Sequence, residues 1–549
     1  MSKTHRVVLF FTLFGAVGLT FGAKKPFSVV EATIPEMQMA MKDKRVTSRE
    51  LVIQYLVRIG MYEDKLHAAI TENPDAIREA EALDRERARG KVRGPLHGIP
   101  IALKDIIQTT NMPTTGGALA FQNYVPPYEA TLTKNLREAG AVIIAKTSLT
   151  ELANWVATGM PTNYNAISGF GMNPYDPRRD PRDTTPDGRP VLAAGGSSSG
   201  VGTAANLWAA NVGTETSGSI LNPASATMLV GIKPTVGRIS RYGVIPITAD
   251  QDTPGPMAKS VTDAAILLGA LESAEPDPND AATNRCMPPP RRDYTKFLKF
   301  DGLKGARIGI PRGGPQNAAA ARVIEEAIEV LKQKGAFIVD PANIPSTIDQ
   351  DTQKNVLQWG ICAGVDGRKG NDANCSSVFK YGMKRDFNRW LATLGPSAPV
   401  KTLTELREWN QKHEPAGAIK YGQAQLDISD EIDLEADRAK YEQDRAKDIA
   451  LAGPHGIDEA MATYRLDALL FTGNAGAAIA ARPGYPSVVV PFALVANANP
   501  QAFAAGFDPK PAPLGITFTG MACSEPRLIE LAYAFEQATK RRVPPASTP

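Results

Sequence analysis

Residues 195–200 read GGSSSG, and nineteen positions after Gly200 a further serine stands in a similar setting, Thr216-Ser217-Gly218-Ser219-Ile220. Six hydroxyl or glycine residues in a row fit a flexible linker. They also fit a reaction centre, because glycine lets backbone N–H groups approach a ligand closely. The segments on either side decide between the two. Upstream, Gly98–Ile107 (GIPIALKDII) is a short apolar run bounded by Gly and Pro, and 139–147 (AGAVIIAKT) reads as a buried strand after a helix at 129–138. Downstream, VGIKPTVGRISRYGVIP (230–246) reads as strand and turn, ARIGIP (306–311) as a strand, and LDALLFTG and YPSVVVPFAL as two more.

Helical periodicity alternates with these strands. It covers the stretches within 28–95, residues 260–272 and 318–335, and the closing EPRLIELAYAFEQATKRR. Residues 201–211, VGTAANLWAAN, read as one small-residue helix. Alternating strands and helices predict an α/β class, a large mixed β-sheet core covered by helices. No linker divides the chain, so a single domain is expected over 28–545, with a helical insert near 355–450. Polar loops are expected at 173–190 and 274–292.

The 549 residues carry 61 basic and 58 acidic side chains and a formal net charge of +3. No dense basic run is interleaved with aromatics, so nucleic acid is not an expected partner. The N-terminus has Lys3 and Arg6 ahead of seventeen uncharged residues, 7–23, and then Lys24 and Lys25. That is the pattern of a secretory signal peptide over 1–23, with secretion or a periplasmic location following from it. The alternative is a membrane anchor, for which the run is short. No other stretch approaches a membrane span, so no stable span is expected after cleavage. Export permits disulfides among Cys286, Cys362, Cys375 and Cys523. Cys362 and Cys375 are near enough in sequence to bridge, though four free thiols are equally compatible. No CxxC or Cys/His cluster predicts a metal site.

Hydroxyl nucleophiles need a base. The five histidines are His5, His67, His97, His413 and His455, and no GxSxG elbow accompanies them. His97 precedes a strand and suits a satisfied core position. Lys104 offers another base. A lysine buried in an apolar strand loses its proton more readily, because desolvation disfavours the charged form. A fall of roughly three units from about 10.4 corresponds to about 4 kcal/mol of environmental work. The alternative for Lys104 is a stem that snorkels its amine to the surface. Backbone N–H groups from Thr216 to Ser219 are candidates to face a developing oxyanion.

HGIPIALKD, AAGGSSSG, VGTETSGSILNPAS and VGIKPTVGRIS occur in this order, with GYPSVVVPFAL and LGITFTGMACSEPRLIELAYAFEQAT near the end. Together they resemble the amidase signature family over roughly residues 30–545. RGPLHGIPIALKD and ADQDTPGPM look closest to its peptide-amidase-like branch. The resemblance implies a Ser-cisSer-Lys triad of Lys104, Ser197 and Ser219, with oxyanion or substrate contacts from Thr216, Ser217 and Gly218. It implies no metal or organic cofactor, and a small-molecule or peptide amide as substrate.

Two departures stand out. Ser197 and Ser219 are 22 positions apart, two fewer than is usual in the family, which leaves the relay to Ser197 or to Ser198. Leu221 stands where many members have arginine, and Ser217 where glycine is commonest. An exported amidase, a glutamine amidohydrolase subunit of a tRNA-dependent amidotransferase, and a binding protein on the same scaffold are the functions compatible with these residues. Trp155, Tyr164 and Phe170 are either core or pocket aromatics.

Overall fold

The computed structural model describes residues 26–182, 187–196, 199–314, 317–364, 374–497 and 503–549. The expected signal segment lies outside them.

Two capped helices open the described chain. Thr33 and Glu36 form a reciprocal capping box on α1 (Ile34–Lys42), and Thr47 and Glu50 do the same on α2 (Ser48–Leu66). β1 (Ala69–Glu72) follows at once, then α3 (Ala76–Ala88). The stretch 28–95 thus holds a strand that helical periodicity had hidden. β2 (Pro100–Lys104), α4 (Thr131–Glu138) and β3 (Val142–Thr147) complete the first layer.

β4 (Tyr164–Asn165) and β5 (Gly169–Phe170) pair as a small separate hairpin. The chain continues through α5 (Val201–Ala204), β6 (Ala210–Glu215), α6 (Leu221–Ala226), β7 (Val230–Lys233) and β8 (Thr253–Ala258) to α7 (Val261–Leu271). β9 (Arg307–Gly309), α8 (Ala318–Gln333) and β10 (Phe337–Val339) come next. β11 (Gly360–Ile361) and β12 (Cys375–Ser376) form a two-stranded ladder. β13 (Ala468–Thr472), β14 (Ser487–Val495) and β15 (Ala512–Thr519) precede the closing helix Glu525–Thr539.

Eleven of the described strands form one mixed sheet in the order β1-β3-β2-β6-β8-β7-β14-β15-β13-β9-β10. β2 runs parallel to both β3 and β6, whereas β6, β8 and β7 are successively antiparallel. The central strands β2, β3, β6 and β8 are buried along their whole length. That is why β2 and β3 read as continuous apolar runs rather than as alternating ones. The expected α/β class with a large mixed sheet covered by helices is therefore observed. The region 355–450 contributes helices at Leu403–Lys412, Ala424–Asp430 and Arg438–Ala452.

The expected helix over 201–211 is wrong. α5 ends after one turn, Asn206 turns into the left-handed region at φ 57°, and β6 starts at Ala210. Trp208 explains the break. Its fully buried ring lies over Gly202, where any Cβ would overlap it. Its Nε1 donates to Thr203 Oγ1 at 2.8 Å, Thr203 Oγ1 donates to Asn211 Oδ1 at 2.6 Å, and Asn211 Nδ2 donates to the Ser199 carbonyl at 3.2 Å. This relay of side chains ties the end of the serine run to the start of β6, across the place where the chain is two residues short.

All four cysteines are paired, Cys362 with Cys375 and Cys286 with Cys523. The second bridge joins residues 237 positions apart and fastens the 274–292 loop to the turn before the closing helix. Among the described residues no helix is long and apolar enough to cross a membrane.

Candidate active site

β2 and β6 lie side by side and parallel, with Leu103 opposite Val212, so their C-terminal ends bring Lys104 beside the segment Thr214–Ser219. Lys104 is fully buried, and its Nζ donates to Thr214 Oγ1 at 2.8 Å. It does not snorkel. Burial presses its proton affinity down to about 7, against the pull of the Asp252 and Glu215 carboxylates, which favour the charged form.

The next residue, Asp105, is equally buried and meets Lys146 of β3 at 3.0 Å. Thr115 donates to Asp105 through both its hydroxyl and its backbone N–H. Lys146 also donates to Thr114 Oγ1 at 2.8 Å. This ion pair pins the end of β2 against β3 and so fixes where Lys104 points.

After β6 the backbone turns sharply into α6. Glu215 stabilises that turn: its Oε2 accepts from the N–H groups of Ile220 (2.8 Å) and Leu221 (3.0 Å), the otherwise free donors at the helix start. Gly218 has φ +86°, a conformation that L side chains avoid. The N–H groups of Ser217, Gly218 and Ser219 donate to no described residue. Ser217 and Ser219 are half-buried, and Gly218 and Thr216 buried.

Ser197 and Ser198 lie outside the described residues. Their flanks are well placed. Gly195 has φ +90° and presses on α6 so closely that a Cβ would sit 2.6 Å from Pro223 N. A Cβ on Gly196 would sit 3.1 Å from Ser219 Cα. The loop therefore meets Ser219 backbone to backbone, and at Gly195 the positive φ and the contact with Pro223 require glycine. Asn163 Nδ2 holds this approach by donating to the carbonyls of Gly195 (3.3 Å) and Gly196 (3.2 Å). The structure thus brings Lys104, Thr216, Ser217, Gly218, Ser219 and the start of the serine run into one site.

Two cavities border it. One, of about 520 Å³, is lined by Asn222, Ser225, Phe471, Asn474, Leu357 and Leu514 among others, and among the described residues no charged side chain contributes to its wall. It reaches the Thr216–Ser219 turn through Asn474, whose Nδ2 would lie 3.3 Å from a Cβ on Gly218. The other, of about 470 Å³, lies beyond Asp252 and Arg241.

The remaining candidates fall elsewhere. His97 is fully buried with Nε2 3.0 Å from the Leu83 carbonyl, as a satisfied core residue should be. His413 stacks on Trp409, and His455 contacts Asp349 and Glu459. No described histidine bonds to Lys104, Thr214 or Ser219. Trp155, Tyr164 and Phe170 are buried; Trp155 packs on Phe379, and Tyr164 packs on Phe170. Among the described residues no group of three or more His, Cys, Asp or Glu side chains is placed to hold a metal ion.

Sequence reasoning gave no role to Thr214, Glu215, Asp252 or Asn163. Three of the four stand inside motifs it used, Thr214 and Glu215 in VGTETSGS and Asp252 in ADQDTPGPM.

The amidase family model matches residues 50–529. A probable amidase of Arabidopsis thaliana is 36% identical over 528 residues, covering 94% of this chain and 92% of that protein. The crystal structure of the native peptide amidase of Stenotrophomonas maltophilia superposes with a TM-score of 0.81 at 36% identity, covering 95% of this chain and all of that one. A glutamyl-tRNA(Gln) amidotransferase component from Thermosynechococcus vestitus is 38% identical over 315 residues, which cover 56% of this chain and 60% of that protein. A match over most of the chain, on a fold shared with the peptide amidase, carries the family and its chemistry: this chain belongs to the amidase signature family, in its peptide-amidase-like branch, and is an amide hydrolase.

Proposed function

We propose that the protein is an exported amidase that cleaves the C–N bond of peptide, aryl or aliphatic carboxamides, releasing the acid and ammonia or an amine. Ser219 is the nucleophile, Ser197 the proton relay and Lys104 the base. The observation that carries this reading is the fully buried Lys104 amine at the end of β2, held 2.8 Å from Thr214 at the mouth of the β6–α6 turn. An amine with proton affinity near 7 accepts a proton at neutral pH, where an ordinary lysine cannot.

Ser219 Oγ bonds to the amide carbon while its proton passes through Ser197 to Lys104. The carbonyl oxygen gains negative charge and is met by N–H groups of the Thr216–Ser219 turn. The C–N bond then breaks, and the leaving nitrogen takes the proton back from Lys104 through the relay. Water attacks the resulting ester and gives its proton to the same amine, which returns it through the relay to Ser219 Oγ as the ester C–O bond breaks and the acid leaves.

Export is supported by the basic, apolar N-terminal segment and by the pairing of all four cysteines, which suits an oxidising compartment. A secreted or periplasmic location and cleavage near residue 23 follow. That location also argues against the amidotransferase role.

The test is to treat protein beginning near Lys24 with a fluorophosphonate and to map the adduct by mass spectrometry. A single adduct on Ser219, absent in Ser219→Ala and much slowed in Lys104→Ala, is expected. Folded protein with no adduct would overturn the acyl-enzyme reading.

A further inference from the structure

Asp252 stands in the loop before β8, directly across from Thr216, since Glu215 pairs with Thr253 in the β6–β8 register. Its carboxylate is buried and fully engaged. Oδ1 accepts from Thr216 Oγ1 at 2.5 Å, and Oδ2 accepts from the N–H groups of Ile247 (2.9 Å) and Thr248 (3.0 Å). The preceding Gln251 donates through Nε2 to the Thr216 carbonyl at 3.1 Å. Adjacent residues of one loop therefore grip both the side chain and the backbone of the residue that starts the nucleophile turn.

A second observation links Asp252 to the base. A small internal cavity of about 10 Å³ is lined by Thr214, Thr216, Asp252, Arg241 and Ile106. That is room for roughly one water with several polar partners. Thr214 is the residue that receives the Lys104 hydrogen bond. Arg241, Val244 and Asp252 also line the outer cavity of about 470 Å³, so Asp252 stands in the wall between the outer cavity and the base.

We propose that Asp252 is a positioning residue for acylation: it anchors the Thr216–Ser219 turn, and its buried carboxyl shares a cavity wall with Thr214, the residue that bonds Lys104. The inference rests on the acyl-enzyme reading above.

The surrounding charges support this role. Asp252 and Glu215 are the anions that favour the protonated form of Lys104, against its burial. Asp252 is itself pushed up to about 7 by burial, with Thr216, the Ile247 N–H and Arg241 pulling down and Asp386 pushing up. Arg241 is held in turn by Asp280 at 2.5 Å, and Asp386 by Arg385 at 2.8 Å. A charged Asp252 thus favours the protonated form of Lys104.

The test compares wild type, Asp252→Asn and Asp252→Ala. The readouts are the fluorophosphonate inactivation rate against pH, kcat and KM on an amide substrate, and thermal unfolding of each variant. Asparagine keeps the shape and an acceptor for Thr216 but removes the charge. Lys104 then sheds its proton more readily, and the midpoint of the rising pH limb moves to lower pH by about half a unit or more. Alanine removes both acceptor oxygens and with them all three hydrogen bonds, and the plateau rate drops by about tenfold or more while KM changes little. A purely structural role would lower thermal stability without moving the midpoint. An unchanged midpoint in Asp252→Asn, with plateau rates within about twofold of wild type in both variants, would overturn the assignment. A wild-type protein that forms no Ser219 adduct overturns the acyl-enzyme reading itself, and the inference falls with it.

Discussion

Lys104 Nζ donates to Thr214 Oγ1 across 2.8 Å in a pocket that excludes solvent from the lysine entirely. This contact joins the end of β2 to the end of β6, so the base and the turn that carries Ser219 sit on neighbouring parallel strands. Its first consequence concerns pH. With Lys104 held near 7, acylation of Ser219 should rise with pH through about 7 and then level off. Stability should change with pH as well. The native state loses this proton near 7, whereas the unfolded chain keeps it to about 10.4. Between those values the unfolded state binds more protons, so this group makes stability rise with pH. Lys104→Met should cut the inactivation rate by about 100-fold or more and remove that part of the pH dependence. Inactivation rates and urea midpoints from pH 6 to 10 would show both. A Lys104→Met variant that reacts at the wild-type rate would remove lysine from the mechanism.

The residues that the structure gathers here stood out in the sequence because each carries a local mark. The serine–glycine runs must be glycine where Gly195 and Gly218 touch α6 and Asn474, and Lys104 must lie in an apolar strand to lose its proton. What escaped was the long-range part. Asp252 acts on Thr216 from 36 residues away, and Asn163 on Gly196 from 33. Nothing in either local pattern marks such a partner. The misread helix at 201–211 has a different cause. The alanines of this stretch favour a helix, and the packing of Trp208, whose ring takes the space above Gly202, overrides that local preference. β1 is too short, at four residues between two helices, to show its own period.

Gly218 tests the nucleophile turn. Alanine there would be held at φ +86°, at a cost of roughly 1–2 kcal/mol, with its methyl carbon 3.3 Å from Asn474 Nδ2. The backbone would relieve this by rotating the Gly218 and Ser219 N–H groups away from the oxyanion position. The expected result for Gly218→Ala is a fall of about 100-fold in kcat with a small loss in thermal stability. Unchanged kcat would mean that these N–H groups do not serve the reaction.

Asn163 tests the approach of the serine run. Its amide donates to both Gly195 and Gly196, and its own N–H is anchored by Thr150 Oγ1 at 2.8 Å. Asn163→Ala should cost about 1–2 kcal/mol of stability and slow acylation by roughly tenfold, because the relay serine follows the freed carbonyls. Both effects are measurable by thermal unfolding and by fluorophosphonate kinetics. A loss of stability with full reactivity would confine Asn163 to a folding role.

The buried pair Asp105–Lys146 offers a test of scaffold against chemistry. Removing one partner leaves the other charge buried without compensation, so Asp105→Ala should destabilise by about 3–5 kcal/mol. Replacing both, as in Asp105→Leu with Lys146→Met, should recover most of that loss. The recovered protein should still acylate more slowly than wild type, since Thr115 and Thr114 lose their partners and the end of β2 is less firmly held. If the double variant regains stability and full rate together, the pair is not needed to aim Lys104.

The two disulfides should contribute unequally. Cys286–Cys523 closes a span of 237 residues and Cys362–Cys375 one of 13. The chain-entropy model assigns about 5 kcal/mol to the longer closure and about 3 kcal/mol to the shorter, because the longer loop restricts the unfolded chain more. The Cys286→Ser, Cys523→Ser double variant should therefore unfold at lower denaturant than the Cys362→Ser, Cys375→Ser variant. The longer bridge fastens the 274–292 loop, whose Asp280 pairs with Arg241 beside Asp252, so its loss should also slow acylation. The shorter bridge belongs to the β11–β12 ladder and should leave the rate near that of wild type. Non-reducing peptide mapping of exported protein would first establish both pairs. Finding free thiols there would remove the support that the cysteines lend to an oxidising compartment and leave export resting on the N-terminal segment alone.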